Sequence, residues 1–184
     1  MTFAFAATSL TLLLHARYCS ADIIECMATS DNVVRAGLTP KLRDVETLIS
    51  MLTYEAGPAA NQLLKPTPFD SDSGSSSESS SDDKSSLLYD PPIDEFSVVK
   101  VDVSHGGETS HRAVDGPSIV IVTKGEGNIS FAGDKSQSAD EGSEKDEIEV
   151  KRGDVVFIGA GVEVGWRAGS AEDGLEVFRA YVEA

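Results

Sequence analysis

At 184 residues the chain is long enough for one domain or two small ones with a true core. With 15 Lys and Arg against 31 Asp and Glu, its formal charge is −16, which excludes the clustered basic surface that nucleic acid or an anionic membrane requires. Two cysteines, Cys19 and Cys26, are too few for a disulfide framework and form no Cys-x-x-Cys, the usage expected of reduced thiols in a cytoplasmic protein.

The chain opens on an apolar run, residues 2–14, too short to span a bilayer and with no Lys or Arg ahead of it. Residues 1–17 are therefore expected to be a divergent N-terminus. The alternative is a signal peptide cleaved after Ala21, which would make the protein secreted. Residues 22–28 predict a strand without clean alternation, buried on both faces. Thr29-Ser30-Asp31-Asn32 is turn chemistry, and Ala36-Gly37 followed by Thr39-Pro40 keeps the next stretch irregular. Glu25, Asp31, Arg35 and Lys41 thus fall in a segment otherwise apolar enough to be buried. Buried charges persist when paired or used, and a polar loop beside a buried strand is where catalytic side chains are commonly displayed. Taken alone, such a pair as Arg35 and Lys41 is more often engaged in surface ion pairs than in function, and Asp31 could equally cap its own loop as an Asx turn. From Asp44, a plausible N-cap, Val45, Leu48, Ile49 and Leu52 take the spacing of an amphipathic helix, with Gly57-Pro58 as its stop.

Residues 66–95 predict an acidic, Ser-rich disordered linker, with eight carboxylates against Lys84 alone between residues 70 and 95. From Phe96 the pattern changes to alternation. Strands are expected at 96–103, 119–122, 129–131, 148–150, 155–158, 162–166 and 177–182, separated by glycine turns such as Lys124-Gly125-Glu126-Gly127. Many short strands at even spacing make a β-sandwich or barrel, with Trp166 in its core and Arg152-Gly153-Asp154 as a tight turn. His105 and His111 flank Gly106-Gly107. With no third ligand nearby, they predict an exposed loop rather than a metal site.

Asn32-Val33-Val34-Arg35-Ala36-Gly37-Leu38-Thr39-Pro40-Lys41 has the form N-x-x-R-A-G-x-T-P-K. This run resembles the end of the catalytic domain of type I phosphomannose isomerase (mannose-6-phosphate isomerase), a zinc enzyme of the cupin fold. The resemblance resumes at Gly116–Gly127 and Val150–Ala160. It implies a mainly β protein. Residues 18–65 would be the tail end of a cupin catalytic domain with one helix, and residues 96–184 a cupin-like jelly-roll or β-sandwich C-terminal domain without metal. It implies interconversion of mannose 6-phosphate and fructose 6-phosphate for GDP-mannose supply. Arg35 would be the catalytic arginine, Lys41 would bind substrate, and Glu25 and Asp31 would line the pocket or serve in acid–base transfer. The family's zinc is held by a Gln-x-His pair, a glutamate and a later histidine in a His-Ala-Tyr run. The first three have no counterpart here. The fourth meets His15-Ala16-Arg17-Tyr18, one residue longer than the family pattern, which leaves His15 out of register. The expectation is zinc in the intact family but not on this chain alone, and a piece inactive by itself. The alternative is a non-catalytic cupin-like binding or interaction module, marked by an exposed apolar face around Ile23-Ile24 and Val33-Val34.

Overall fold

A computed structural model describes residues 4–5, 24–27, 34–35, 38, 40–52, 56–58, 63–69, 85–132, 146–170 and 173–182. The chain divides into two compact units, residues 1–64 and 65–184. In the first unit, β1 (Ala4–Phe5) and β2 (Glu25–Cys26) pair in parallel, Ala4 opposite Glu25 and Phe5 opposite Cys26. The strand expected over 22–28 is thus short where described. It also alternates, Ile24 and Cys26 half-buried and Glu25 and Met27 exposed. A two-stranded ladder encloses neither of its faces, so double-sided burial is not available to it.

Helix α1 (Val45–Met51) begins at the expected cap. The Asp44 carboxylate accepts from the Thr47 amide at 3.0 Å and from the Thr47 hydroxyl at 2.7 Å, bonds that hold its pKa below the usual value. The helix closes at Leu52, well before Gly57-Pro58, where the chain turns extended. None of its residues is fully buried; Leu48 and Leu52 are half-buried and Val45 and Ile49 exposed. Without a buried face only local forces extend it, and those do not sustain a long helix in water.

The second unit is one antiparallel sheet curled around a single core. Its strands are β3 (Thr67–Pro68), β4 (Ser86–Tyr89), β5 (Ser97–Val103), β6 (Glu108–His111), β7 (Ser118–Ala132), β8 (Asp146–Lys151), β9 (Val155–Ile158), β10 (Glu163–Ala168) and β11 (Leu175–Tyr181). The order is β3-β4-β5-β11-β7-β10-β6, with β8 and β9 also on β7. Strand β7 organises the curl. Residues 118–125 pair with β11, and residues 127–132 pair with β10. The change of partner falls at Gly125-Glu126-Gly127, which the sequence marks as a turn between two strands. Gly125 has φ of 75°, and a Cβ there would collide with the Gly174 carbonyl oxygen. Only glycine allows both the left-handed backbone and that approach. Gly125→Ala should therefore cost about 2 kcal/mol or more, while Gly159→Ala, in open space with ordinary backbone, should stay within about 0.5 kcal/mol. Urea unfolding of the two variants checks this; equal midpoints would refute the corner.

Val99, Val101, Val120, Val122, Ile129, Val164, Trp166, Leu175 and Val177 point inward and are all but fully buried. Each such side chain contributes about 1.5–3 kcal/mol of apolar burial. The predicted strands from Phe96 onward are present, Trp166 is core, and Arg152-Gly153 forms the turn, with Gly153 at φ 94°.

Two expectations change. The segment 66–95 contains β3, the buried Phe69 and β4, whose Ser86–Tyr89 ladder pairs with β5, so the sheet begins inside the expected linker; residues 70–84 lie outside the described ones. Leu88 packs on the core opposite Val99, and that burial outweighs the disorder-prone composition on its N-terminal side. The second change is His111. It sits on β6 and is 2% exposed, not on an open loop, because β6 pairs with β10 and turns this one side chain inward opposite Val164.

Candidate functional site

The Arg35 segment is built on the helix cap. The Asp44 amide donates to the Arg35 carbonyl oxygen at 2.9 Å, closing the loop between them, while the Asp44 side chain caps α1. A loop tied at its base to a capped helix holds its side chains with less freedom than an open one. Arg35 is half-buried there; Lys41 and Glu25 are exposed. All three belong to the first compact unit. Asp31 and His15 lie outside the described residues. Cys26 is half-buried, and burial raises its thiol pKa, so it stays a protonated thiol rather than a nucleophile.

The second unit carries a buried polar group of its own. Trp166 Nε1, a donor only, gives its hydrogen to His111 Nδ1 at 3.1 Å. His111 must then carry its proton on Nε2, which faces Ser86 Oγ at 2.7 Å. Phe69 stacks edge-on to the imidazole at 4.9 Å. Burial, with the Arg179 charge adding, pulls the His111 pKa down to about 3, so the ring is neutral at physiological pH. Arg179 itself is 0% exposed, its Nε donating to Ser118 Oγ at 3.0 Å. The sequence reading missed both residues as interior groups. The signal for Arg179 was the two-residue period of β11, which puts positions 177, 179 and 181 on one face. His105, by contrast, is exposed in its turn.

The family described as "Phosphomannose isomerase type I C-terminal" matches residues 86–134. Mannose-6-phosphate isomerase of Cryptococcus neoformans var. neoformans is 55% identical over 167 residues, 91% of this chain and 33% of that protein. The chain matches part of type I phosphomannose isomerase. The Aspergillus fumigatus member is 44% identical over 92% of this chain and 34% of its own length. A mannose 6-phosphate isomerase structure from Salmonella typhimurium, bound to substrate (fructose 6-phosphate) and a zinc atom, superposes with a TM-score of 0.55 at 26% identity, over 86% of this chain and 32% of that one. The chain therefore spans about a third of the length of the relatives it matches. The likeness extends to cupin-type curling of the sheet around one core.

Zinc does not fit what is described here. Among the described residues no three His, Cys, Asp or Glu side chains come close enough to hold a metal ion. His111 is committed to Trp166 and Ser86. Among the described residues there is also no helix long and apolar enough to cross a membrane.

Proposed function

We propose that this chain supplies the Arg35 loop and the C-terminal β unit of a cytoplasmic mannose-6-phosphate isomerase, which interconverts mannose 6-phosphate and fructose 6-phosphate and so feeds GDP-mannose synthesis. The observation that carries the reading is the 55% identity to the Cryptococcus neoformans isomerase across nine-tenths of this chain, the Arg35 run included. The reaction moves a proton from C2 of the aldose to C1 of the ketose through an enediolate, whose negative charge is shared by O1 and O2. Arg35 presents two N–H groups in a fixed fork, suited to that pair of oxygens, and its charge persists at any working pH. Lys41 is a point charge six residues on, a group of the kind that binds a phosphate or a sugar hydroxyl. Glu25 and Asp31 are the carboxylates in this segment for carbon and oxygen proton transfer. Zinc belongs to the intact family, as the Salmonella structure has it, and would be held by residues other than those described here.

The test is a chimera in which this chain replaces the third of the Cryptococcus neoformans enzyme that it matches. The expected result is zinc-dependent interconversion of the two hexose phosphates within about tenfold of the parent, since changes outside the reacting groups rarely cost more than about 1–2 kcal/mol. A folded chimera without activity would point instead to a non-catalytic module.

A further inference from the structure

We propose that the interior of the β unit is an anion site, in which the Arg179 guanidinium holds one small oxyanion of the phosphate class. A guanidinium has five N–H donors. In Arg179 only Nε is used, on Ser118 Oγ; both terminal nitrogens, Nη1 and Nη2, are buried with no hydrogen-bond partner among the described residues. The side chain is 0% exposed and sits between Val99 and Val120 on the inward face of β11. No carboxylate pairs with it among the described residues. Burial lowers its pKa to about 10, with Tyr181 opposing the shift and Arg112 adding to it, so it stays charged under any physiological condition.

A buried, unpaired cation is among the most expensive arrangements in a folded protein, and one whose four terminal N–H groups are all unsatisfied is more expensive still. The Tyr181 phenol, two residues on along the same face, favours the charge, but it has a single oxygen to offer. His111 is neutral with both nitrogens committed, and Trp166 donates rather than accepts. Ser118 is already engaged. What the fork lacks is an acceptor with two oxygens side by side, which is the shape of an oxyanion. The chain as a whole carries −16 and repels anions in general, so a phosphate retained by this protein must be held by a local feature.

The experiment uses the whole chain. Equilibrium dialysis against radiolabelled inorganic phosphate, at ionic strength fixed with chloride, should find a single phosphate per folded wild-type chain and none on Arg179→Met. Thermal unfolding in parallel should show the wild-type midpoint rising by about 5 °C for each tenfold increase in phosphate above saturation. Arg179→Met should show only the small general salting-in-place that phosphate gives any protein. Arg179→Lys, which keeps the charge and loses the fork, should bind at least tenfold more weakly than wild type. Absence of bound phosphate on the wild type, with no phosphate dependence of its midpoint, would overturn the proposal and leave water as the only occupant. That wild-type result decides the matter even if Arg179→Met fails to fold.

Discussion

Trp166→Ala should remove about 4–8 kcal/mol from the β unit, enough to abolish its cooperative unfolding transition. Truncating a buried Trp commonly costs about 3–5 kcal/mol in lost transfer energy and cavity. Here the indole N–H is also the partner of His111 Nδ1, and an orphaned buried acceptor adds about 1–3 kcal/mol. The sum approaches the whole stability of an ordinary domain, about 5–15 kcal/mol. Trp166→Phe separates the two contributions, since it keeps an aromatic ring and removes the donor. The companion measurement is pH. His111 has a folded pKa of about 3 against an ordinary 6.5, so between those values the unfolded chain binds a proton that the folded chain refuses. Stability is therefore complete above pH 6.5 and falls as the pH drops below it. Between pH 6.5 and 5.5, above most of the carboxylate titration, the loss should be about 1 kcal/mol from this one group. His111→Gln, which can still accept from Trp166, should flatten that slope. Denaturant unfolding at several pH values reads it directly, and identical slopes in both proteins would sink the assignment.

The same histidine shows what the sequence could and could not disclose. Period-two alternation marked strands such as β5, β8 and β10, and a short unbroken apolar run marked β9. Strand β6 has no such signature: Glu108-Thr109-Ser110-His111 carries no apolar residue at all. Its place in the sheet comes from β10, more than 50 residues further on, and its one inward side chain is explained by Trp166 and Ser86, neither of them local. Strand β7 failed differently. Lys124-Gly125-Glu126-Gly127 has the composition of a hairpin turn, yet the glycines serve a corner within a single strand, where backbone from Gly174 and Arg167 comes too close for any Cβ. At the Arg35 loop the situation was reversed. The residues were recognisable from their order, while the bond that pins them, Asp44 amide to Arg35 carbonyl, is main-chain to main-chain and leaves no trace in side-chain identity.

That main-chain bond makes the decisive substitution clean. In the chimera with the Cryptococcus neoformans enzyme, Arg35→Ala should lower kcat/KM by about 10²–10³, equivalent to about 3–4 kcal/mol of lost transition-state stabilisation. The loss should fall mainly on kcat, because the charge shared by two oxygens exists only once the enediolate forms. Arg35→Lys should recover part of it, since an ammonium supplies the charge without the fork that spans both oxygens. Lys41→Ala should instead raise KM several-fold with kcat nearly held, the pattern of a group that binds substrate and transition state alike. The loop should survive the substitution at Arg35, because alanine offers the Asp44 amide the same carbonyl and leaves the Asp44–Thr47 cap untouched. A defect in Arg35→Ala therefore reports on the guanidinium rather than on loop collapse, and circular dichroism with an unchanged thermal midpoint verifies it. If Arg35→Ala stays within threefold of the parent chimera, the arginine is a structural residue, and the charge on the enediolate must be met from elsewhere in the enzyme.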